Sequence, residues 1–369
     1  MKISKLEFNN KISRYNILIG FRAIDDLRKQ IRLICPYTRK VALIFDKKIP
    51  VKLKNKINKQ VKSYEVFKYH FQASEKLKSF HKINFLSEDL LKKNFNRDDL
   101  IISIGGGVIS DFAGFAASII KRGVNFINIP TTLLAQVDAS FGGKTGINSS
   151  LGKNLIGSFS QPKLVISDTE FLKTLPRREL VCGFAEILKH SLVDNKNLFS
   201  WIEKNTSKIL DNRDSKIIKY AIIKSCKIKI KFVEKDEKEK GDRAMLNFGH
   251  TFAHGIEAAN NFSKKISHGE AVLIGMLFAT KLSRKKNICS SNTLKKIIKF
   301  YEDNNLPRNL KKYSLNNSIN KIVEHMKNDK KNRDAKINLI LLKKIGKTTK
   351  LDQVKMTPKQ IKSFLKEIT

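Results

Sequence analysis

Residues 99–130 read DLIISIGGGVISDFAGFAASIIKRGVNFINIP, and the succession of patterns along them decides the fold. An apolar run, DLIISIGGG (99–107), passes into a stretch where Phe112, Phe115, Ala116, Ile119 and Ile120 recur at helical spacing and which ends at Gly123. A second apolar run, NFINIP (125–130), follows at once. Strand, crossover helix and strand in this order form the unit of a parallel sheet. Working outward, KVALIFD (40–46), YEVFKYHF (64–71) and KLVISD (163–168) repeat the strand signal between helical patterns, so an α/β domain of Rossmann-like type is expected. After LPRRE (175–179) the strand signal nearly vanishes, and long runs such as SKIIKYAIIKSCKIKIKFVEK and GEAVLIGMLFATKLSRKK keep helical period. A division near Pro176 is therefore expected, with an α/β domain over 1–175 and a mostly helical one over 176–369. Without a Gly/Ser linker the two should pack closely, and a cleft between them is the natural place for a site.

Within the opening stretch, Gly105, Gly107 and Ser110 give G-x-G-x-x-S where a strand enters a helix. Backbone N–H groups and the helix dipole hold a pyrophosphate at such a place. A tight turn whose glycines need positive φ would give the same letters. Asp46, at the end of its strand, suits either an adenosine ribose or a strand-end turn. Further on, IPTTLLAQVDASFGGKTGINSSLGKNLIG (129–157) gathers Thr131, Thr132, Asp138, Gly142, Gly143, Lys144, Lys153 and Asn154 in a glycine-rich span that reads as largely irregular. Hydroxyls, lysines and an amide together suit a ligand with phosphates and hydroxyls, and an Ω-loop solvated by lysine is the alternative.

The chain has 369 residues, enough for two cores, and its 41% hydrophobic and 29% charged residues are those of a globular protein. The four cysteines, Cys35, Cys182, Cys226 and Cys289, are far apart and contain no C-x-x-C pair, which fits reduced thiols in the cytoplasm better than a disulfide framework. No targeting h-region and no long apolar span is read, so a membrane role is not expected. A net charge of +39 invites a nucleic-acid reading. The lysines are strewn along the chain rather than gathered, and drift toward A/T-rich codons explains them without a nucleic-acid function.

In NFGHTFAHGIE (247–257) the two histidines lie one helical turn apart, on one face. His268 opens the next helical pattern, and Glu186 in GFAEILKHSL shares a face with Lys189 and His190. One carboxylate with two imidazoles makes a three-ligand divalent-metal site. Spacing alone does not choose among His190, His250, His254 and His268.

Taken in order, GGGVISDFAGFAAS, RGVNFINIPTTLLAQVDASFGGKTGIN, GKNLIGSFSQP, FLKTLPRREL, GFAEILKH, LNFGHTFAHGIE, SHGEAV and DKKN…INLILLKKIG resemble the 3-dehydroquinate synthases over about residues 40–350. The resemblance implies an N-terminal NAD-binding domain, a helical metal-binding domain, and an active site between them. It implies Glu186, His250 and His268 as ligands of one divalent ion, zinc or cobalt, with His254 facing substrate. It places NAD on Asp46, on Glu75 and Lys78, on Gly107, Val108, Ile109, Ser110 and Asp111, on Thr131 and Thr132, on Lys144 and Lys153, and on Phe171, Leu172, Lys173 and Thr174. It places the substrate, 3-deoxy-D-arabino-heptulosonate 7-phosphate, on Asp138, Lys144, Asn154, Lys189, Lys229, Arg243, Asn247 and His254, with Lys330 or Lys331 and, from a second subunit of a homodimer, Arg122. Two departures bear on NAD affinity: ASEKLK (73–78) stands where D-G-E-x-Y-K is common, and Ser110 replaces the usual glycine. His190, where tyrosine is common, reads as a packing variant. The rivals are a cyclase for a sugar phosphate lacking the carboxylate, a polyol dehydrogenase of similar architecture, and a nucleic-acid-binding protein.

Overall fold

The computed structural model describes residues 2–211, 213–327 and 336–369. They form two compact units, Met1–Leu180 with Arg213–Ile230, and Val181–Asn212 with Lys231–Thr369.

In the first unit lie the strands β1 (Ser4–Asn9), β2 (Arg14–Gly20), β3 (Lys40–Asp46), β4 (Glu65–Phe71), β5 (Leu100–Gly105), β6 (Asn125–Pro130), β7 (Lys144–Ser149), β8 (Gly152–Phe159) and β9 (Leu164–Asp168). The helices α1 (Leu27–Ile34), α2 (Val51–Val61), α3 (Phe80–Lys92) and α4 (Gly107–Ile119) connect them. One seven-stranded sheet runs in the order β1-β2-β9-β6-β5-β3-β4. It is parallel except for the β1–β2 pair.

The expected Rossmann-like α/β architecture is thus present, and side-chain alternation shows why it forms. Along β3, Val41, Leu43 and Phe45 enter one core with Leu27 and Ile31 of α1 and Leu53 and Ile57 of α2. Ala42 and Ile44 enter the other, with Leu86 of α3 and Phe112 and Ala116 of α4. A strand buried on both faces has no polar side to display, so it appears in sequence as an unbroken apolar run.

Two features differ from the sequence reading. The N-terminal hairpin β1–β2 joins the sheet edge, its outer strand alternating exposed Lys5, Glu7 and Asn9 with half-buried Leu6 and buried Phe8. The span 129–157 is not largely irregular: a π-helical turn, Ala135–Ala139, precedes an antiparallel ribbon in which Lys144 pairs with Phe159 and Ile147 with Ile156. Its glycines and hydroxyls hid the strand period.

The second unit is mostly helical, as expected. It holds most of α5 (Arg177–Asp194), α6 (Lys196–Leu210), the end of α7 (Ser215–Lys235), α8 (His250–Ala259), α9 (His268–Lys285), α10 (Ser291–Asp303), α11 (Ile319–Lys327) and α12 (Pro358–Ile368). Four strands of two or three residues lie between α11 and α12. Phe252 of α8 meets Phe278 of α9 edge to face, 6.0 Å between centroids, and also packs on Phe364 of α12. No described helix is long and apolar enough to cross a membrane.

Candidate active site

In the first unit the chain runs from β3 outward to β4 and returns across β3 to β5, so strand order reverses between β3 and β5. Ligands of open α/β sheets bind in such a crevice, at the carboxyl ends of the strands. Asp46 ends β3 there, and the Gly105–Gly107 turn ends β5 and begins α4. None of these three glycines has positive φ. Close approach is what excludes a side chain: a Cβ on Gly105 would lie 2.6 Å from the Ile109 side chain, in the first turns of α4.

The positive end of the α4 dipole thus faces the crevice, with no side chain at Gly106 or Gly107. Ser110 Oγ in the next turn is buried and makes no hydrogen bond among the described residues. Thr131 N–H donates to the Gly105 carbonyl at 2.9 Å, tying the end of β6 to the glycine turn, and Thr132 Oγ1 accepts from Ala135 N–H at 3.2 Å. Asp46 Oδ1 accepts from Lys48 N–H at 3.1 Å, which is the turn role.

The other expected contacts of this unit fall into three groups. Lys78 Nζ donates to Asp111 Oδ2 at 2.5 Å and to Asn154 Oδ1, while Lys153 Nζ pairs with Glu75 Oε1 at 3.1 Å. Burial pushes the Asp111 carboxyl up despite Lys78. Burial also raises Glu75, but Lys153, Asn148 and Lys78 outweigh it and leave the carboxyl lowered. Around the π-helical turn, Lys229 Nζ meets Asp138 Oδ1 at 2.6 Å and lies 4.8 Å over the Phe141 ring. On the 3-10 turn after β9, Phe171 and Leu172 are buried, Lys173 Nζ lies 4.5 Å over the Phe21 ring, and Thr174 closes the turn on the Phe171 carbonyl. Lys144 begins β7 exposed, and Arg122 is exposed with φ 63°.

In the second unit, three helices bring Glu186 (α5), His250 (α8) and His268 (α9) together, with one ligand atom from each within 4.8 Å of the others. His268 is fixed as the first residue of α9 by a capping box: Ser267 Oγ accepts from Glu270 N–H, and Glu270 Oε2 accepts from Ser267 N–H at 2.8 Å. His250 begins α8 just after Gly249, whose φ is 80°. Contact of α8 with α9 depends on Gly275, where a Cβ would sit 2.2 Å from the Gly249 carbonyl oxygen.

Both imidazoles aim Nε2 at one oxygen, Glu186 Oε1, at 3.5 Å from His250 and 3.6 Å from His268. Their Nδ1 atoms are turned outward, to the Phe248 carbonyl at 3.4 Å and to Glu257 Oε2 at 3.1 Å. Neither Glu186 oxygen has hydrogen-bond geometry to a partner, although Lys189 Nζ is ion-paired to Oε2. A fully buried carboxylate facing two Nε2 atoms, each imidazole steered from behind by an acceptor, is the donor set of a divalent ion with its outer shell. Burial raises the Glu186 carboxyl, but Lys189, His250 and His268 hold it well below the usual range. Burial, with Lys189, keeps His250 well below the imidazole range, and Glu257 and Glu186 overcome burial to hold His268 up at about 10.

His254 lies outside the three-ligand cluster, its ring 5.6 Å from that of His250 and nearly perpendicular to it. His190 is fully buried on α5. Arg243 is buried, donating to the Glu237 carbonyl, and Asn247 Nδ2 donates to Glu239 Oε1. Lys330 and Lys331 lie outside the described residues.

Burial sorts the cations. Of 73 lysines and arginines in the chain, only Lys78, Lys189, Lys229 and Arg243 are buried among the described residues. All four are expected site residues, and the excess of lysine stays in solvent. Sequence reading missed Glu257, Asn148 and Glu239. The first follows His254 by three residues on α8, a helix-facing signal that pattern reading can find; Asn148 lies on β7, whose strand period was hidden, and Glu239 in a loop, and neither leaves such a signal.

The 3-dehydroquinate synthase N-terminal family model matches residues 68–182, and the 3-dehydroquinate synthase C-terminal model matches residues 183–332. A 3-dehydroquinate synthase of Pelagibacter ubique (strain HTCC1062) is 46% identical over 367 residues, covering 100% of this chain and 99% of its own. A solved 2-deoxy-scyllo-inosose synthase, complexed with carbaglucose-6-phosphate, NAD+ and Co2+, superposes with a TM-score of 0.88 at 25% identity, covering 99% of this chain and 100% of its own. The same fold recurs in a 2-epi-5-epi-valiolone synthase from Streptomyces hygroscopicus subsp. jinggangensis 5008, with NAD+ and Zn2+ bound, at TM-score 0.85 and 23% identity, covering 100% of this chain and 99% of that one. With both of the family's models matched and this identity held along the full length, the chain belongs to the 3-dehydroquinate synthase family.

Proposed function

We propose that this protein is the 3-dehydroquinate synthase of the shikimate route to aromatic amino acids. It converts 3-deoxy-D-arabino-heptulosonate 7-phosphate to 3-dehydroquinate and phosphate by transient oxidation, phosphate elimination, reduction and intramolecular aldol closure. The observation that carries the reading is the convergence of Glu186, His250 and His268 in a chain of this family. In this reading residues 1–175 are the NAD-binding domain, and residues 176–369 bind metal and substrate.

Bound NAD would supply a hydride acceptor that later returns its hydride, and a zinc or cobalt ion would supply the Lewis acidity that eases deprotonation of a substrate hydroxyl. The chain's own residues bind and orient. Glu186, His250 and His268 hold the ion. The first turns of α4, from Gly107 to Asp111, receive the pyrophosphate, with Ser110 Oγ as a buried group still to be satisfied and Thr131 and Thr132 beside it. Asp46, Glu75, Lys78, Lys144, Lys153 and the Phe171–Thr174 turn complete the dinucleotide site.

The substrate carries a carboxylate and a phosphate, so it requires fixed cations and donors. Lys189, Lys229 and Arg243 supply charge from buried positions, where Coulomb attraction is least screened. Lys144, Asp138, Asn154 and Asn247 bind its hydroxyls, and His254, not engaged as a ligand, holds and passes protons. Arg122 completes the neighbouring subunit's site in a homodimer. The protein works in the cytoplasm, and its surface charge has no nucleic-acid function.

The test is phosphate release from the heptulosonate phosphate with catalytic NAD, before and after chelation and after zinc or cobalt is restored. Release that needs both NAD and metal, without net NADH, supports the reading. NADH accumulating with simple polyols, and no phosphate released, overturns it in favour of a dehydrogenase.

A further inference from the structure

Three side chains of the ribbon β7–β8, Asn148, Lys153 and Asn154, tie it to the turn after β4, and no role is assigned to the first of them. Asn148, near the end of β7, directs its backbone N–H and both polar atoms of its side chain at the turn after β4 and at β8. Its backbone N–H donates to the Lys78 carbonyl at 2.9 Å. Its Nδ2 donates to the Glu75 carbonyl at 3.1 Å and to Glu75 Oε2 at 2.9 Å. Its Oδ1 accepts from Asn154 N–H at 3.0 Å.

Those partners are themselves joined. Glu75 Oε1 pairs with Lys153, and Lys78 Nζ bridges Asn154 Oδ1 and Asp111 Oδ2. Asn148, Glu75, Lys153, Asn154 and Lys78 therefore form a closed ring with Asp111 attached. It contains two carboxylates, two ammonium groups and two amides.

Asn154 also needs holding. Its φ of 56° lies in the left-handed region, which asparagine tolerates better than most residues but at some cost that its hydrogen bonds offset. The Asn148 carbonyl oxygen takes its N–H, and Lys78 takes its side chain. The Asn148 amide offers donors to Glu75 and an acceptor to Asn154 at once.

We propose that Asn148 is a positioning residue that couples the dinucleotide site to the substrate site. Resting on the proposed function, the coupling runs from Glu75 and Lys78, which face the cofactor, through Asn148 to the backbone of Asn154, which faces the substrate. Occupancy of the first pair fixes the second, because the ring allows neither to move alone. Networks of this kind act as units, and their members are non-additive.

The test uses the metal-loaded protein and two readouts: NAD binding measured by fluorescence without turnover, and steady-state kinetics at saturating NAD. Asn148→Ala removes three side-chain hydrogen bonds. It is expected to weaken NAD binding and raise the substrate KM, each on the order of tenfold, with bound metal unchanged and kcat changed less than KM. Asn148→Asp keeps the acceptor for Asn154 but sets a carboxylate against Glu75. Adding Glu75→Gln restores a donor–acceptor pair of reversed direction, so N148D/E75Q is expected to bind NAD more tightly than N148D. A merely structural role would not predict that rescue.

Parental NAD affinity and KM in N148A, or a double variant no better than N148D, overturns the proposal. A parental protein that binds no NAD would instead overturn the functional reading beneath it, so the two failures are distinguishable.

Discussion

Replacing Gly275 with alanine should separate the two histidine ligands without touching either. The new Cβ would stand 2.2 Å from the Gly249 carbonyl oxygen and 3.1 Å from Ala253 N, both backbone atoms that no rotamer change can move. Ordinary C···O contact needs about 1 Å more than that, so α8 and α9 must part by roughly this amount. Gly249 directly precedes His250, so the displacement is passed to a ligand atom now 3.5 Å from Glu186 Oε1. Metal–ligand bonds tolerate about 0.2 Å, so the shift exceeds the tolerance severalfold. We expect about 1–3 kcal/mol of lost stability from overpacking, and zinc affinity lowered by about 10- to 100-fold, the range for ligands whose support is disturbed. Competition against a chromogenic chelator reads the affinity, and thermal unfolding with and without zinc separates it from stability. If G275A binds zinc as tightly as the parent, the contact of α8 with α9 does not place the ligands, and the reasoning fails.

Other outcomes follow from the same geometry. His254→Ala should retain the metal and lose about 10²- to 10⁴-fold in turnover, the range for a proton-transfer group; a metal-free variant would show that His254 is a ligand after all. Burial pushes the Cys35 thiol up to about 11 and the Cys226 thiol up to about 12, so both stay protonated and unreactive in the native protein at neutral pH. Because these pKa values are raised on folding, the stability they contribute is complete below the ordinary thiol value of 9.0 and is lost as pH rises toward 11 and 12. Denaturant titrations across that window should show the decline, and prompt modification of these thiols at pH 8 would contradict their burial. Retention on a polyanion resin should vanish at moderate salt while phosphate release continues; activity that required the polyanion would reopen a nucleic-acid role.

The sheet was legible where physics leaves one pattern. Strands β3, β5, β6 and β9 are buried on both faces and so appear as apolar runs, and the glycine turn marked where one of them meets its helix. The outer strand β1 was not legible, because an edge strand carries Lys5 and Glu7 among its apolar residues. The ribbon β7–β8 was hidden for a related reason: its stability lies in backbone pairing, and its side chains are lysine, threonine, serine and asparagine as often as apolar ones. In the candidate site, spacing brought His250 and His254 to one face of a helix but could not prefer His250 over His254. The choice depends on where α5 and α9 arrive; α5 lies far away in sequence, and the turn from α8 into α9 leaves no periodic signal. Resemblance named the set that the fold gathers. Glu257 and Asn148 escaped because a glutamate on a helix and an asparagine in a glycine-rich stretch are common, and only their partners make them unusual.

The sorting of cations by burial divides this chain into two parts that can vary independently. Lys78, Lys189, Lys229 and Arg243 are fixed by packing, so exchanging any of them leaves a buried acceptor or carboxylate without its partner. Exposed lysines outside the proposed site, unlike Lys144 and Lys173, lie at the solvent boundary, where exchange for glutamine costs little even when a surface ion pair such as Lys231–Asp194 is lost. Surface charge in this protein is thus a free variable, open to genome composition in nature and to deliberate redesign in the laboratory. A variant with most exposed lysines neutralised would carry the same catalyst inside a coat of different electrostatic character, and the two could be compared at equal activity.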